Sequence, residues 1–224
     1  MIVKEITYKE AVDFLLPKHY SGRIPSVHKA FGWFKDGELK AVITYGKPAS
    51  PSLCRGICGD EYKDIVWELN RMCRTEDLTE PLSKFVSETL KLMKPSIIVS
   101  YSDTAMNHHG YVYQACNFIY TGFTKERTDK WTSSGKHSRH YKNEEQGEYR
   151  KVRSSKFRYV YFCGSKTERK KWMKALKYPI IKEYPKGDNS NYILGDYIKE
   201  KLVKNKKYID NDKEIVYNIK EMEK

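Results

Sequence analysis

The chain predicts a mixed α/β fold, a central sheet flanked by helices, with a basic C-terminal extension. Three observations predict it. Strand-length and helix-period segments follow one another in the order β-α-β-β-β-α-β-α-β. One run, Ile97–Tyr101, opens on three consecutive apolar residues, as a strand buried on both faces does. Charge is also divided: residues 1–120 hold 15 Lys/Arg against 14 Asp/Glu, and residues 121–224 hold 27 against 15, so most of the +13 lies in the second half.

Met1–Thr7 alternates as a short strand. Tyr8–Leu16 places Ala11, Val12, Leu15 and Leu16 on one helical face, and Pro17 ends it. His28–Phe34 and Leu39–Tyr45 read as strands joined by Lys35-Asp36-Gly37-Glu38, where Asp-Gly signals a tight hairpin. Gly46–Pro51 reads as a loop and Ile65–Cys73 as a strand with Val66, Leu69 and Met72 in the core. Pro81–Met93 is the clearest helix, with Leu82, Phe85, Val86, Leu90 and Met93 at helical spacing. Ala105–Cys116 reads as a helix and Phe118–Phe123 as a strand. Beyond them, Thr124–Lys156 is polar enough for a long hairpin or loops. Phe157–Cys163 is strand-like and Lys166–Leu176 a basic helix. The expected domains are a core over 1–125, a basic extension over 126–190 that completes the fold and contacts DNA, and a tail over 191–224, helical or partly disordered.

With 224 residues, 39% apolar and 32% charged, the chain has the length for one sizeable core. No apolar run approaches the roughly 20 residues of a membrane helix, so no membrane partner is expected. The N-terminus lacks a signal-peptide layout, which makes the cytoplasm the expected compartment. Five scattered cysteines read as reduced, packed residues. A surface this basic, joined to a nearly neutral body, points to a polyanion-gripping enzyme; a solubilising basic tail is the plainer reading.

Four clusters carry chemistry. His19-Tyr20-Ser21-Gly22-Arg23 follows the helix-ending Pro17 and offers imidazole and phenol for metal ligation or proton transfer. Tyr45-Gly46-Lys47-Pro48 closes a strand where ligand loops commonly lie, though a tight turn uses the same residues. Glu68-Leu69-Asn70-Arg71 places two charges in a strand, and at least one of them must leave the core face. Ser100-Tyr101-Ser102-Asp103 stands at the carboxyl end of the buried strand, where open α/β sheets bind ligands. Asp103 is a candidate ligand or proton acceptor and equally a candidate helix N-cap. Tyr45 and Ser102 are the expected cofactor-binding residues. His108 and His109 read as surface or packing residues.

The stretches HYSGRIPS, YGKPASP, ELNRMC and SYSDTAMNHHGYVYQACNFIYTG, in that order, resemble the Mom-type phage DNA adenine modification proteins over roughly residues 15–125. RYVYFCG and YPKG resemble the family's C-terminal part. That resemblance implies a GNAT-like fold and conversion of the N6-amino group of adenine in duplex DNA to an N6-carbamoylmethyl form, which protects phage DNA from restriction. It implies catalytic roles for His19, Tyr20, Arg71, Tyr101, Asp103 and Tyr113. It also implies an iron site at His19 and Tyr20, to which Asp103, by its place at the strand end, is the expected further ligand. Such a reaction runs in the host-cell cytoplasm, with duplex DNA and, in one reading, a second copy of the chain as partners.

One stretch departs from the superfamily. Where a GNAT enzyme has a Gly-rich loop for the pyrophosphate of coenzyme A, this chain has Thr75-Glu76-Asp77-Leu78-Thr79-Glu80-Pro81, with three acids and no glycine. An acyl-CoA or another donor therefore stays open. The chemistry points the same way, because transfer from acetyl-CoA yields an amide, whereas a carbamoylmethyl group joins N6 through a CH2. DNA contacts are expected from Arg23, Lys136, Arg139, Lys151, Arg153, Lys156, Arg158, Lys170 and Lys171. Competing readings are an acyltransferase acting on a small amine or a protein, and a non-catalytic nucleic-acid-binding module.

Overall fold

The computed structural model describes residues 2–131, 149–188, 201–205 and 216–218. Chain contacts divide it into two compact units, one formed by 1–123 with 156–197 and the other by 124–155 with 198–224. The expected tracts 136 and 139, Lys136 and Arg139, lie outside the described residues.

The first unit is a mixed α/β layer structure. Its strands are β1 (Ile2–Glu5), β2 (Lys29–Lys35), β3 (Glu38–Gly46), β4 (Val66–Arg74), β5 (Ser96–Asp103), β6 (Ile119–Thr124) and β9 (Lys156–Cys163). They form one seven-stranded sheet in the order β1-β2-β3-β4-β5-β9-β6. The first four neighbours pair antiparallel, β4 and β5 pair parallel, and β5 and β9 pair antiparallel. At the β2–β3 hairpin Asp36 and Gly37 both take positive φ (52° and 84°), the backbone an Asp-Gly turn supplies.

Alternation assigns the two faces. Phe31, Trp33, Ile43, Leu69 and Ile98 point to one side and pack under α3 (Leu82–Leu92) and α4 (Tyr111–Ala115). Val66, Ile97, Val99, Val160 and Phe162 point to the other and pack on α2 (Pro51–Cys58) and α5 (Lys166–Ala175). On that second side α1 (Tyr8–Leu15) seats Ala11, Phe14 and Leu15 against Ala30 and Val42. Both surfaces of β5 are therefore covered, as its apolar run predicts. All five cysteines are free and buried.

Several elements differ from the sequence expectation. Gly46–Pro51 is shorter than a loop should be, because Pro51 starts α2 at a position where its missing N–H costs nothing. Ala105–Cys116 is not one helix: a 3-10 turn over Thr104–Met106 is separated from the five-residue α4 by Asn107 and Gly110, both at positive φ. In the second unit β7 (Arg127–Lys130), β8 (Tyr149–Arg153), β10 (Lys201–Lys204) and β11 (Val216–Asn218) form a sheet ordered β11-β10-β8-β7. The described parts of the tail are thus strands rather than helices.

A forked-sheet cleft as candidate active site

The cleft begins where β4 and β5 part. Their parallel pairing runs from Val66↔Ile97 to Leu69↔Ser100 and stops, although β4 continues to Arg74 and β5 to Asp103. Ser100 closes the fork by donating its hydroxyl to the Leu69 carbonyl (2.9 Å), so the last free carbonyl is satisfied without a further rung.

On the other edge of β4 the register to β3 shifts between Tyr45↔Leu69 and Thr44↔Arg71, which makes Asn70 a bulge. A bulge turns the following side chain to the opposite face. It explains why Leu69 and Met72, an odd number of residues apart, pack in one core. Asn70 is pinned in place: its Oδ1 accepts from Thr44 Oγ1 (2.6 Å) and its Nδ2 donates to the Ser26 carbonyl (3.0 Å). Gly46 makes that approach feasible, since a Cβ there would stand 1.9 Å from Ser26 O.

The resulting cleft encloses about 490 Å³. His19 and Tyr20 border it together with the β4 stretch from Leu69 to Thr75, and Tyr101, Ser102, His108 and Tyr113 border it from the far side. His19 arrives from the turn after α1, held by donation of its N–H to Leu15 O (2.8 Å). Its Nδ1 accepts from the Ser21 amide (3.2 Å) and lies 2.9 Å from the Ser21 hydroxyl. The neutral ring therefore carries its proton on Nε2. Burial, with Arg71, His108 and Lys156 nearby, pushes the His19 pKa down to about 3. Its ring stacks on Tyr20 (centroids 4.3 Å, 30°), and Tyr20 meets His108 edge-on (5.7 Å, 75°). Burial and Asp103 raise the Tyr20 pKa, so this phenol stays protonated.

Arg71 donates through Nη1 to the Asn70 carbonyl (2.6 Å), leaving its buried Nε without a hydrogen-bond partner among the described residues. Tyr113 is buried and its pKa is pushed up to about 12, mainly by desolvation. Asp103, also buried, lies behind the lining. Its Oδ1 accepts from the Ala105 amide (3.0 Å), capping the 3-10 turn, and its Oδ2 from Lys156 Nζ (2.9 Å).

Of the residues expected in the site, His19, Tyr20, Arg71, Tyr101, Ser102 and Tyr113 thus line one cleft. Tyr45 does not: its ring is fully buried in the core and its hydroxyl bonds Thr89 (2.8 Å). His108 was read as packing, and nothing in its local sequence marks it; the structure sets it in the cleft wall. Among the expected DNA contacts, Arg158 is spent on Thr121 and lies 3.5 Å over the Tyr178 ring. Lys156 pairs with Asp103, Arg153 with Asp129 and Lys171 with Glu61. Lys170 and Arg23 are exposed, and Lys151 is half-buried in β8.

Two groups implied by the resemblance can be tried against these donors. Iron held by His19, Tyr20 and Asp103 does not fit the arrangement. His19 gives its Nδ1 lone pair to Ser21, and both Asp103 oxygens serve Ala105 and Lys156. Among the described residues no three His, Cys, Asp or Glu side chains are gathered where they could hold a metal ion together. The coenzyme A pyrophosphate fits no better at the start of α3. Arg74 Nη1 is turned onto the carbonyls of Leu78 (2.8 Å) and Glu80 (3.5 Å). The Thr75 and Leu78 amides donate internally, and the helix opens on Pro81 with no side-chain cap. Asp77 is bound to Lys40 (2.7 Å) and Glu80 to Lys35 (2.8 Å), so these two cations are already paired.

An acetyltransferase from Bacillus subtilis in complex with CoA is 14% identical, with 71% of this chain and 97% of that one aligned at a TM-score of 0.43. An N-acetyltransferase from Staphylococcus aureus Mu50 is 9% identical, with 72% and 98% aligned at a TM-score of 0.45. A methylcarbamoylase of Escherichia phage Mu is 29% identical over 127 residues, 54% of this chain and 53% of the relative. The chain therefore spans about half the length of that curated relative. The Mom protein family matches residues 1–186, most of the 224, and the chain belongs to that family.

Proposed function

We propose that this protein is a transferase that converts the N6-amino group of adenine in duplex DNA to its N6-carbamoylmethyl form. Membership of the Mom family and the name of the phage Mu relative, a methylcarbamoylase, support the reaction class. The observation that carries the reading is the fork cleft, where the imidazoles of His19 and His108, the guanidiniums of Arg71 and Arg74 and four tyrosines line the same space.

Adenine N6 is inaccessible to a protein active site while the base is stacked, so the base must be extruded. Tyr20 and Tyr101 are half-buried aromatic walls for it. The Nε2–H of His19 and the unpartnered Nε–H of Arg71 are donors for a carbonyl oxygen that gains charge during transfer. Tyr113, with its pKa pushed up to about 12, keeps its proton and serves as a third donor. Asp103 acts through Lys156 and the turn it caps, positioning Tyr101 and Ser102 rather than touching the base. Grip on DNA falls to exposed cations, with Lys170 and Lys174 on α5 outward-facing and unpaired among the described residues. A modified adenine no longer matches the pattern restriction enzymes read in the major groove, which is how the reaction protects phage DNA in the host cytoplasm.

The test is co-expression with a plasmid, digestion to nucleosides and mass analysis of deoxyadenosine. The expected result is a species heavier by one carbamoylmethyl group, lost in His19→Ala while the circular dichroism spectrum is kept. Unmodified adenine throughout would refute the reading.

A further inference from the structure

Resting on the adenine reading above, we propose that Tyr111 meets the DNA at the cleft mouth, stacking its ring on the base next to the extruded adenine. The four tyrosines of the cleft lie at different depths. Tyr113 is buried at 8% exposure, Tyr20 and Tyr101 are half-buried, and Tyr111 is 39% exposed. Of the exposed large apolar side chains among the described residues, Tyr111 alone borders the cleft. The inner rings are placed to wall an extruded base, and the outer one to face the duplex that the base has left.

An exposed tyrosine ordinarily turns about its side-chain bonds, but this one is held at its far end. Its hydroxyl donates to the Gly187 carbonyl (2.8 Å) and accepts from the Gly187 amide (3.1 Å). The segment that supplies Gly187 is itself fastened down. Tyr184 donates its hydroxyl to the Phe118 carbonyl (2.7 Å), and Gln114 Nε2 donates to the Pro185 carbonyl (3.1 Å). Glycine is needed at 187, since a Cβ there would stand 2.5 Å from His109 Nε2. The Tyr111 ring in turn meets the His109 ring (centroids 6.1 Å, 37°), and His109 stacks on Phe157 (5.9 Å, 29°). Three rings thus run outward from the sheet, and the last of them reaches solvent at the cleft. With its hydroxyl engaged twice by Gly187, Tyr111 offers DNA its ring. A rigid ring of this kind stacks on any base, because every base has a π-face, and it shields the step that extrusion leaves unstacked.

The experiment compares the full chain with Tyr111→Phe and Tyr111→Ala. Filter binding to a mixed-sequence linear duplex is read across a salt series, and modified deoxyadenosine is read from co-expressed plasmid. Tyr111→Phe keeps the ring and loses both hydrogen bonds to Gly187, whereas Tyr111→Ala loses the ring as well. Tyr111→Ala is expected to weaken binding about tenfold at every salt concentration without changing the slope, because a stacked ring releases no counterions. Tyr111→Phe should stay within about threefold of the wild type. The yield of modified adenine should fall in the same order. Where Tyr111→Ala does not fold, Tyr111→Leu takes its place, filling the space without a π-face. Equal weakening by the two variants would overturn the stacking and reduce Tyr111 to a fastening for residue 187. A reduced salt slope would overturn it too, in favour of a phosphate contact. Modified adenine from the wild type reads the underlying function separately. Its absence overturns the reaction, and the extruded adenine with it. Its presence beside an unaffected Tyr111→Ala overturns the stacking alone.

Discussion

Gly110 gives the sharpest test of how the cleft is held open. It forms the N-cap of α4 at φ 79° and ψ 29°, and a Cβ placed there would lie 2.5 Å from Tyr159 Cε2 and 2.7 Å from Cζ. Tyr159 cannot move aside cheaply, since its ring is fully buried and its hydroxyl donates to the His109 carbonyl and accepts from Gln114. Gly110→Ala therefore incurs two costs: left-handed backbone on a residue with a Cβ, roughly 1–2 kcal/mol, and overpacking, roughly 1–3 kcal/mol. The sum is about 2–5 kcal/mol, a large part of the stability of an ordinary domain. Gly37→Ala supplies the control. Its φ is 84°, but nothing lies within 4 Å of the added Cβ, so the backbone cost acts alone. Urea unfolding of the two variants at equal slope measures the difference. An excess of about 1–3 kcal/mol for Gly110→Ala isolates the Tyr159 contact. Equal midpoints for both variants would refute the claim that this ring fixes the entry to α4, and with it the position of Tyr111 and Tyr113 beside the cleft.

Buried neutral His19 has a folded pKa near 3 against an ordinary 6.5, so between those values the unfolded chain binds a proton that the folded one refuses. Stability should fall as pH drops below 6.5, by roughly 2 kcal/mol at pH 5. His19→Gln should flatten this acid leg in calorimetry; an unaltered leg would assign it to other groups. Asp103→Asn keeps an acceptor for the Ala105 amide and loses only the charge facing Lys156, whereas Asp103→Ala loses both. Calorimetry should rank Ala below Asn by about 1 kcal/mol, the usual value of a lost cap, and identical midpoints would deny the cap any weight. Replacing Lys170 and Lys174 by Ala should reduce the slope of log K against log salt by about 0.9 for each phosphate contact removed. Filter binding across a salt series reads it, and an unchanged slope takes α5 out of the DNA interface.

Local chemistry made much of the fold legible. Asp36-Gly37 identified the hairpin, and the spacing of Phe85, Val86 and Leu90 identified α3, because both are short-range effects. α2 was equally legible through Ser50-Pro51 and the apolar Leu53, Cys54, Ile57 and Cys58, but prolines in a Gly-containing stretch read first as a loop. What no local pattern contains is the partner of each strand. Nothing between Lys156 and Cys163 announces that this strand enters the sheet between β5 and β6. The cleft depends on that same non-local information. His19, Arg71, Tyr101 and Tyr113 belong to four separate segments, and their motifs were visible singly. They meet because two small irregularities act at one level of the sheet. The Asn70 bulge re-aims Arg71, and the Ser100 hydroxyl ends the β4–β5 ladder at Leu69. Tyr45 shows the limit of reading position along a strand as position in a site. It pairs with Leu69, beside the bulge, yet its ring faces the core and bonds Thr89 beneath α3. A one-residue change of parity separates a cleft residue from a core residue, and the bulge that sets this parity is written in contacts to Ser26 and Thr44 far along the chain.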